Sequence, residues 1–319
     1  MPKSKEPRSK TCGFAPETDN LSDVIHRISR RIWLAVLLLF SSIAFGQMRW
    51  VAAQPVVNMY SAPSLDADVV SQAIYGTTVQ QTQPKEQTKA PDGWIYIQTP
   101  DEYPGWVQRN EFLPLDPKED YAGPSKQVIT VASRGANVYR GTDVTQHAPL
   151  MVLSFETPLE EIGTEGKRWI KVRLVDGRQA WIQSGDVQER VTKPLSVDEM
   201  IALAKKFMGV TYTWGGRSSF GYDCSGFTQM LMRQHGVLMP RDADVQAAWN
   251  GVVAVDRKSL QPGDLLFFGD SPQHITHTGM YIGNGEFIHD TTRSHPMVQI
   301  SKLDDQPWTK LLVACRRPK

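Results

Sequence analysis

YTWGGRSSFGYDCSGFTQMLMRQH, Tyr212 to His235, is the stretch that decides the fold. Gly215, Gly216 and Gly221 precede Cys224 and permit backbone conformations that side chains forbid. Beyond it, Phe227, Met230 and Leu231 recur at i, i+3 and i+4, so Ser225 to His235 is expected to form a helix with one buried face, stopped by Gly236. Asp223 stands where an N-cap belongs. Cys224 then falls in the first turn, where unpaired N–H groups and the positive end of the dipole favour an anion. A thiol there is expected to ionise more readily than a free one, whose pKa is about 8.5. The alternative for Cys224 is a buried structural thiol.

A nucleophilic thiolate needs a base, and the base needs a group to orient it. The region for both is Gln273 to Asp290, which holds His274, His277 and His289. His274 lies in a loop-like stretch after Pro272, whereas His277 and His289 flank Gly283-Asn284-Gly285, a hairpin signal between two apolar-rich runs. Side chains alternate along strands, so the loop length decides whether the two rings share a face. A regular two-residue turn puts His277 and His289 on opposite faces. A three-residue loop, or an equivalent bulge, puts His277 opposite Thr291 and diagonal to His289, about 7–8 Å away between Cα atoms.

Three spaced motifs then agree in order: Tyr212-x-Trp214-Gly215-Gly216, Asp223-Cys224-Ser225-Gly226-Phe227, and His277-x-Gly279-x-Tyr281-Ile282-Gly283-x-Gly285. Together they resemble the NlpC-type cysteine peptidases, papain-like enzymes that cut cell-wall peptides. The resemblance runs from about Leu195 to the C-terminus and implies an α+β papain-like domain there. It implies that Cys224 is the nucleophile, His277 the general base and His289 the residue that orients it. By the same carry-over Asp223 and Ser225 line the substrate site, and the Tyr212 hydroxyl lies near the oxyanion formed when Cys224 attacks. The bland readings are a hydrogen-bonded strand histidine for His277 and core residues for His289 and Tyr212.

Outside this region the chain reads as further modules. Its 319 residues exceed one typical domain. Met1 to Arg31 is polar and basic, and Ile32 to Gly46 is a 15-residue apolar run. That is short for a membrane span, which needs about 20 residues, and fits a secretory leader over residues 1–47 with cleavage before Gln47. An uncleaved anchor is the second reading. The expected location is therefore the periplasm, cell envelope or exterior, with no stable membrane span after cleavage. The formal net charge of +1 argues against nucleic acid as a partner. Neither CxxC nor HExxH occurs, so no metal and no cofactor are expected.

Residues 48–192 hold an internal repeat. Asn58-Met59-Tyr60 matches Asn137-Val138-Tyr139 at an offset of 79. Trp94-Ile95 matches Trp169-Ile170, and Gly105-Trp106-Val107-Gln108 matches Ala180-Trp181-Ile182-Gln183, both at an offset of 75. Short alternating runs broken by Gly, Pro and Asp predict two small all-β barrels, over 48–117 and 124–192. They resemble bacterial SH3-like domains, whose aromatics are mostly barrel core and which serve as spacers or cell-wall contacts. A polar, proline-bounded linker separates them, and Ser196-Val-Asp-Glu199 is a capping box opening the catalytic domain at 195–319.

Two SH3-like domains ahead of the catalytic one, with Arg241-Asp242, resemble the γ-D-glutamyl-L-diamino acid endopeptidase subgroup. That resemblance implies peptidoglycan stem peptides with a free N-terminal L-alanine as substrates, and Asp242 as the residue that holds the α-amino group. Asp242 capping the helix that begins near Asp244 is the alternative. A related papain-like amidase or acyltransferase and a non-catalytic wall-binding protein are the rival functions.

Overall fold

The computed structural model describes residues 48–85, 90–116, 118–190 and 193–319. The expected leader, with Cys12 in it, lies outside the described residues. No described helix is long and apolar enough to cross a membrane.

The repeat folds twice in the same way. Strands β1 to β7 are Arg49–Ala52, Val56–Tyr60, Val69–Ile74, Thr78–Gln81, Trp94–Gln98, Pro104–Gln108 and Phe112–Leu115. Strands β8 to β14 are Val128–Val131, Gly135–Tyr139, Met151–Ser154, Pro158–Glu165, Trp169–Arg173, Gln179–Gln183 and Val187–Glu189. The first sheet runs β3-β2-β6-β5-β4-β1-β7 and the second β10-β9-β13-β12-β11-β8-β14, the same order shifted by seven strands. The repeated aromatics explain the match. Tyr60 meets Trp94 edge-on at 5.6 Å, and Tyr139 meets Trp169 edge-on at 5.6 Å. Tyr60, Tyr139 and Trp169 are buried, and Trp94 is half-buried on the face of β5 opposite Ile95 and Ile97.

The remaining chain is α+β. Helix α1 (Val197–Lys206) opens on the expected capping box: the Ser196 side chain accepts from the Glu199 N–H, and the Glu199 carboxylate accepts from the Ser196 N–H. Helix α2 spans Cys224–Gln234, with Asp223 as N-cap accepting from the Gly226 N–H at 2.7 Å. Gly236 follows it at φ 84°, a left-handed conformation that favours glycine. Helix α3 spans Ala243–Ala248. A short hairpin, β15 (Arg217–Ser218) and β16 (Gly221–Tyr222), precedes α2. The six-stranded antiparallel sheet comprises β17 (Val252–Ala254), β18 (Leu265–Ser271), β19 (His274–Gly283), β20 (Glu286–Thr291), β21 (Met297–Lys302) and β22 (Leu312–Pro318), in the order β17-β22-β18-β19-β20-β21.

Alternation along β18 shows why this sheet is covered on both faces. Leu265 and Phe267 join Phe227, Met230 and Leu231 of α2 in one core. Leu266 and Phe268 join Phe287, Cys315 and Trp308 of the short helix α4 (Trp308–Leu311) in another. Each such buried side chain contributes about 1.5–3 kcal/mol. Cys315 is thus a buried core thiol, and neither it nor Cys224 is in a disulfide.

Both barrels dock on this domain. Asp101 of the first accepts from the Gln229 amide at 3.0 Å, and Gln72 accepts from the Arg217 N–H at 2.9 Å. Glu156 of the second pairs with Arg233 at 2.6 Å and accepts from Gln234.

Candidate active site

Cys224 sits where α2 begins and is buried against β19: the backbone N–H groups of Thr278 and Ser225 face its sulfur. The residue before Thr278 is His277, so the start of α2 lies against the strand that carries the histidine. The sequence expectation of an acidic thiol is not met. Burial pushes the Cys224 thiol up to about 12, and the nearby charge of Asp223 adds to the shift. Desolvation of the thiolate outweighs the pull of the helix N-terminus and of those two N–H groups. At rest Cys224 is therefore a neutral thiol.

The hairpin between β19 and β20 closes on Asn284-Gly285, with Gly283 paired to Glu286. That is a two-residue turn, with Asn284 at φ 55° and Gly285 at φ 75°. A bulge between Tyr281 and Gly283 then restores the even register, pairing Tyr281 with Phe287 and Met280 with Ile288. His277 and His289 therefore project from the same face, diagonal to each other. His277 Nε2 and His289 Nδ1 lie 2.7 Å apart, and His289 Nε2 lies 3.0 Å from Ser301 Oγ. If the Nε2–H of His277 donates to His289, the Nδ1 of His277 keeps a free lone pair that can accept a proton. His289 donates onward to Ser301. Trp308 stacks on the His277 ring at 5.3 Å and meets His289 edge-on at 4.8 Å, walling both from water. Burial and the Arg293 charge lower the His277 pKa to about 3, and burial keeps His289 neutral too. His274 lies apart, exposed on the same strand and paired with Asp270 at 3.3 Å.

Asp223 and Ser225 are both bound to Arg241, a fully enclosed cation. Its Nη2 donates to Asp223 Oδ2 at 2.6 Å and its Nη1 to Ser225 Oγ at 2.8 Å. This brace fixes the first turn of α2 and explains why the carboxylate tolerates burial. Tyr212 is half-buried close enough to Cys224 and Asp223 for burial and their charges to raise its pKa, so its hydroxyl stays protonated as a donor.

Asp242 occupies the N-cap position of α3, yet its side chain makes no capping bond. Both carboxylate oxygens instead face the Tyr103 hydroxyl of the first barrel, at 3.3 and 3.1 Å. Burial raises the Asp242 pKa while Arg241 opposes the shift.

Residues 209–317 match the NlpC/P60 family, and residues 59–112 match the bacterial dipeptidyl-peptidase Sh3 domain. The chain is 32% identical over 218 residues to a γ-D-glutamyl-L-lysine dipeptidyl-peptidase of Bacillus subtilis, covering 67% of this chain and 69% of that one. It belongs to the NlpC/P60 family. A γ-D-glutamyl-L-lysine dipeptidyl-peptidase of Bacillus cereus is also 32% identical, over 222 residues that span 67% of this chain and 64% of that protein. A crystal structure of an NlpC/P60 family protein from Bacillus cereus superposes with a TM-score of 0.71 at 25% identity, covering 85% of this chain and 99% of that one.

NlpC/P60 proteins are cysteine peptidases, and several residues around Cys224 were not singled out by sequence reasoning. Tyr103 lies 139 positions from Asp242 and meets it only through domain docking. Ser301 and Trp308 lie in stretches with no motif of their own. Arg241 was noted only as the neighbour of Asp242; its link to Asp223 gave no sequence signal. Asp290 was also missed: it is fully buried on the face opposite His289, and neither carboxyl oxygen makes a hydrogen bond among the described residues.

Proposed function

We propose that this chain is an exported cysteine endopeptidase that hydrolyses peptidoglycan stem peptides at the γ-D-glutamyl to diamino acid bond, provided the N-terminal L-alanine is free. Cys224 attacks the γ-carbonyl as the His277 Nδ1 takes the thiol proton. The Tyr212 hydroxyl donates to the oxyanion. The same proton then passes from His277 to the leaving amine, the C–N bond breaks, and a thioester remains on Cys224 for water to hydrolyse. His289 and Ser301 hold the imidazole in the tautomer this sequence of steps needs. Asp223, Ser225 and Arg241 hold the acyl side of the site.

The observation that carries the reading is the Asp242 carboxylate, which leaves its own helix uncapped and is held by Tyr103. A carboxylate so placed gives an ammonium a charge-assisted hydrogen bond. The first barrel closes the site at that end, so an N-acylated or glycan-linked stem would meet the barrel and leave the carboxylate without a cation. The barrels add a second surface for contact with the cell wall. The 15-residue apolar run behind a basic flank supports export.

The test is a rate comparison on L-Ala-γ-D-Glu-diamino acid and its N-acetylated form, with products identified by mass. The free-amine peptide is cut and the blocked one is not. Asp242→Asn lowers kcat/KM on the free-amine peptide by about 1.5–3 kcal/mol. Equal rates on both peptides would refute the specificity and point to remodelling of intact wall.

A further inference from the structure

Beside the histidine pair lies a cation that Cys224, His277 and His289 do not contact. The connection between β20 and β21 has a pinned backbone: the Arg293 N–H donates to Thr291 Oγ1 at 3.2 Å. The Gln299 amide donates to the carbonyls of Arg293 and His295 at 2.9 and 2.7 Å. Ser294 sits at φ 62°, a conformation that persists where the surroundings impose it. The Arg293 side chain is the free part of this loop. It is exposed, its guanidinium lies 5.8 Å over the Trp308 ring, and it has no carboxylate partner among the described residues. Trp308 in turn stacks on His277, so two contacts of 5.8 and 5.3 Å in series hold guanidinium and imidazole within about 11 Å of each other.

A lone cation here works against the chemistry. It disfavours the imidazolium that His277 must become, adding to the effect of burial. An anion brought in by the substrate would cancel that penalty at the moment the base is needed. The direction of the peptide says which part of the substrate can bring it. The acyl portion runs toward Asp242, and His277 protonates the leaving nitrogen, so the leaving residue lies on the side of His277, Trp308 and Arg293. The α-carboxyl carbon of that residue is two bonds from the nitrogen.

We propose that Arg293 binds a carboxylate of the leaving diamino acid, so that the enzyme selects peptides ending at that residue over longer stems. This rests on the peptidase reading above. A guanidinium suits a carboxylate through paired N–H donors, and Trp308 holds its plane from below. The α-carboxylate of a C-terminal residue is the source the distance favours; a side-chain carboxylate, as in meso-diaminopimelate, shares the chemistry.

The experiment uses the full chain and three peptides: L-Ala-γ-D-Glu-L-Lys, its C-terminal carboxamide, and the meso-diaminopimelate analogue of that carboxamide. Wild type should favour the free acid over the lysine carboxamide by about tenfold or more in kcat/KM. Arg293→Gln should lose most of that factor on the free acid, chiefly through KM, and far less on the carboxamide, while Arg293→Lys recovers part of it. Recovery of the rate on the diaminopimelate carboxamide would assign Arg293 to the side-chain carboxylate instead. Equal losses on all three peptides, or no preference in wild type, would overturn the proposal.

Binding separates this from the peptidase reading. In a Cys224→Ala background, Arg293→Gln should weaken free-acid binding about tenfold by calorimetry with little change for the carboxamide. If wild type cuts none of the peptides, the peptidase reading falls and the binding result still decides Arg293. Binding that ignores both the C-terminal charge and Arg293 would overturn the assignment.

Discussion

The two barrels share a strand order, yet among the described residues only the first touches Asp242. Their β5–β6 and β12–β13 turns correspond position by position at the offset of 75: Thr99-Pro-Asp-Glu-Tyr103 against Leu174-Val-Asp-Gly-Arg178. Both turns use a left-handed residue at the same place, Glu102 at φ 62° and Gly177 at φ 81°. In the first, Asp101 reaches Gln229 of α2 and Tyr103 reaches Asp242. In the second, Asp176 pairs with Arg178 beside it. The β3–β4 and β10–β11 turns diverge as well. Tyr75 of the first barrel accepts from the Val175 N–H of the second at 2.9 Å. Glu156 of the second, at φ 68° where the first has Gly76 at φ 78°, pairs with Arg233 of the catalytic domain. One scaffold is therefore used in two ways. Its core fixes the barrel, and its turns decide which part of the NlpC/P60 domain it contacts.

Glu156→Ala should be the most damaging single change in either barrel. It leaves Arg233, a part-buried cation in the last turn of α2, without the carboxylate it donates to, and loss of a charge-assisted hydrogen bond of this kind costs about 1.5–3 kcal/mol. Urea unfolding should show that loss, while kcat per folded molecule stays near wild type. A fall in kcat at unchanged stability would mean that the second barrel also shapes the site.

Asp290 is the opposite case, a buried carboxyl with no side-chain partner among the described residues. Burial, and then the charge of Asp223, raise its pKa to about 8. The folded state holds the proton more tightly than the unfolded chain, so stability is full below about pH 4 and is lost as pH rises toward 8. The slope is about 1.4 kcal/mol per pH unit over that window. Asp290→Asn should flatten the curve and make the protein more stable than wild type at pH 8 and above. A wild-type curve without this decline would show that the carboxyl is already solvated or paired.

How much of this could be read from sequence depends on the range of the cause. The α2 start was legible because Asp223, Gly226 and the Phe227-Met230-Leu231 spacing are local. The histidine register was legible as a condition on the loop, and Gly283 meets it with a bulge that no propensity specifies. The thiol pKa was misread because the dipole is a property of the helix, whereas burial is set by β19 packing over it. Tyr103 was invisible for the same reason at longer range: nothing near it in the chain says that a barrel turn will meet Asp242.

That last contact gives the smallest and sharpest prediction. The Tyr103 hydroxyl orients the Asp242 carboxylate, and a net hydrogen bond of this kind is worth about 0.5–1.5 kcal/mol. Tyr103→Phe should therefore lower kcat/KM on the free-amine peptide by about three- to tenfold, with the melting temperature barely moved, because the ring still packs. The matched change in the other barrel, Arg178→Ala, removes only an exposed pair with Asp176, and exposed pairs contribute little. It should leave kcat/KM within error of wild type. Tyr103→Phe matters only if the carboxylate it holds is gripping the substrate amine, so in an Asp242→Asn background it should have no further effect. Additive losses in the double variant would show that Tyr103 contacts the substrate by a separate route, and that the first barrel contributes a binding residue of its own.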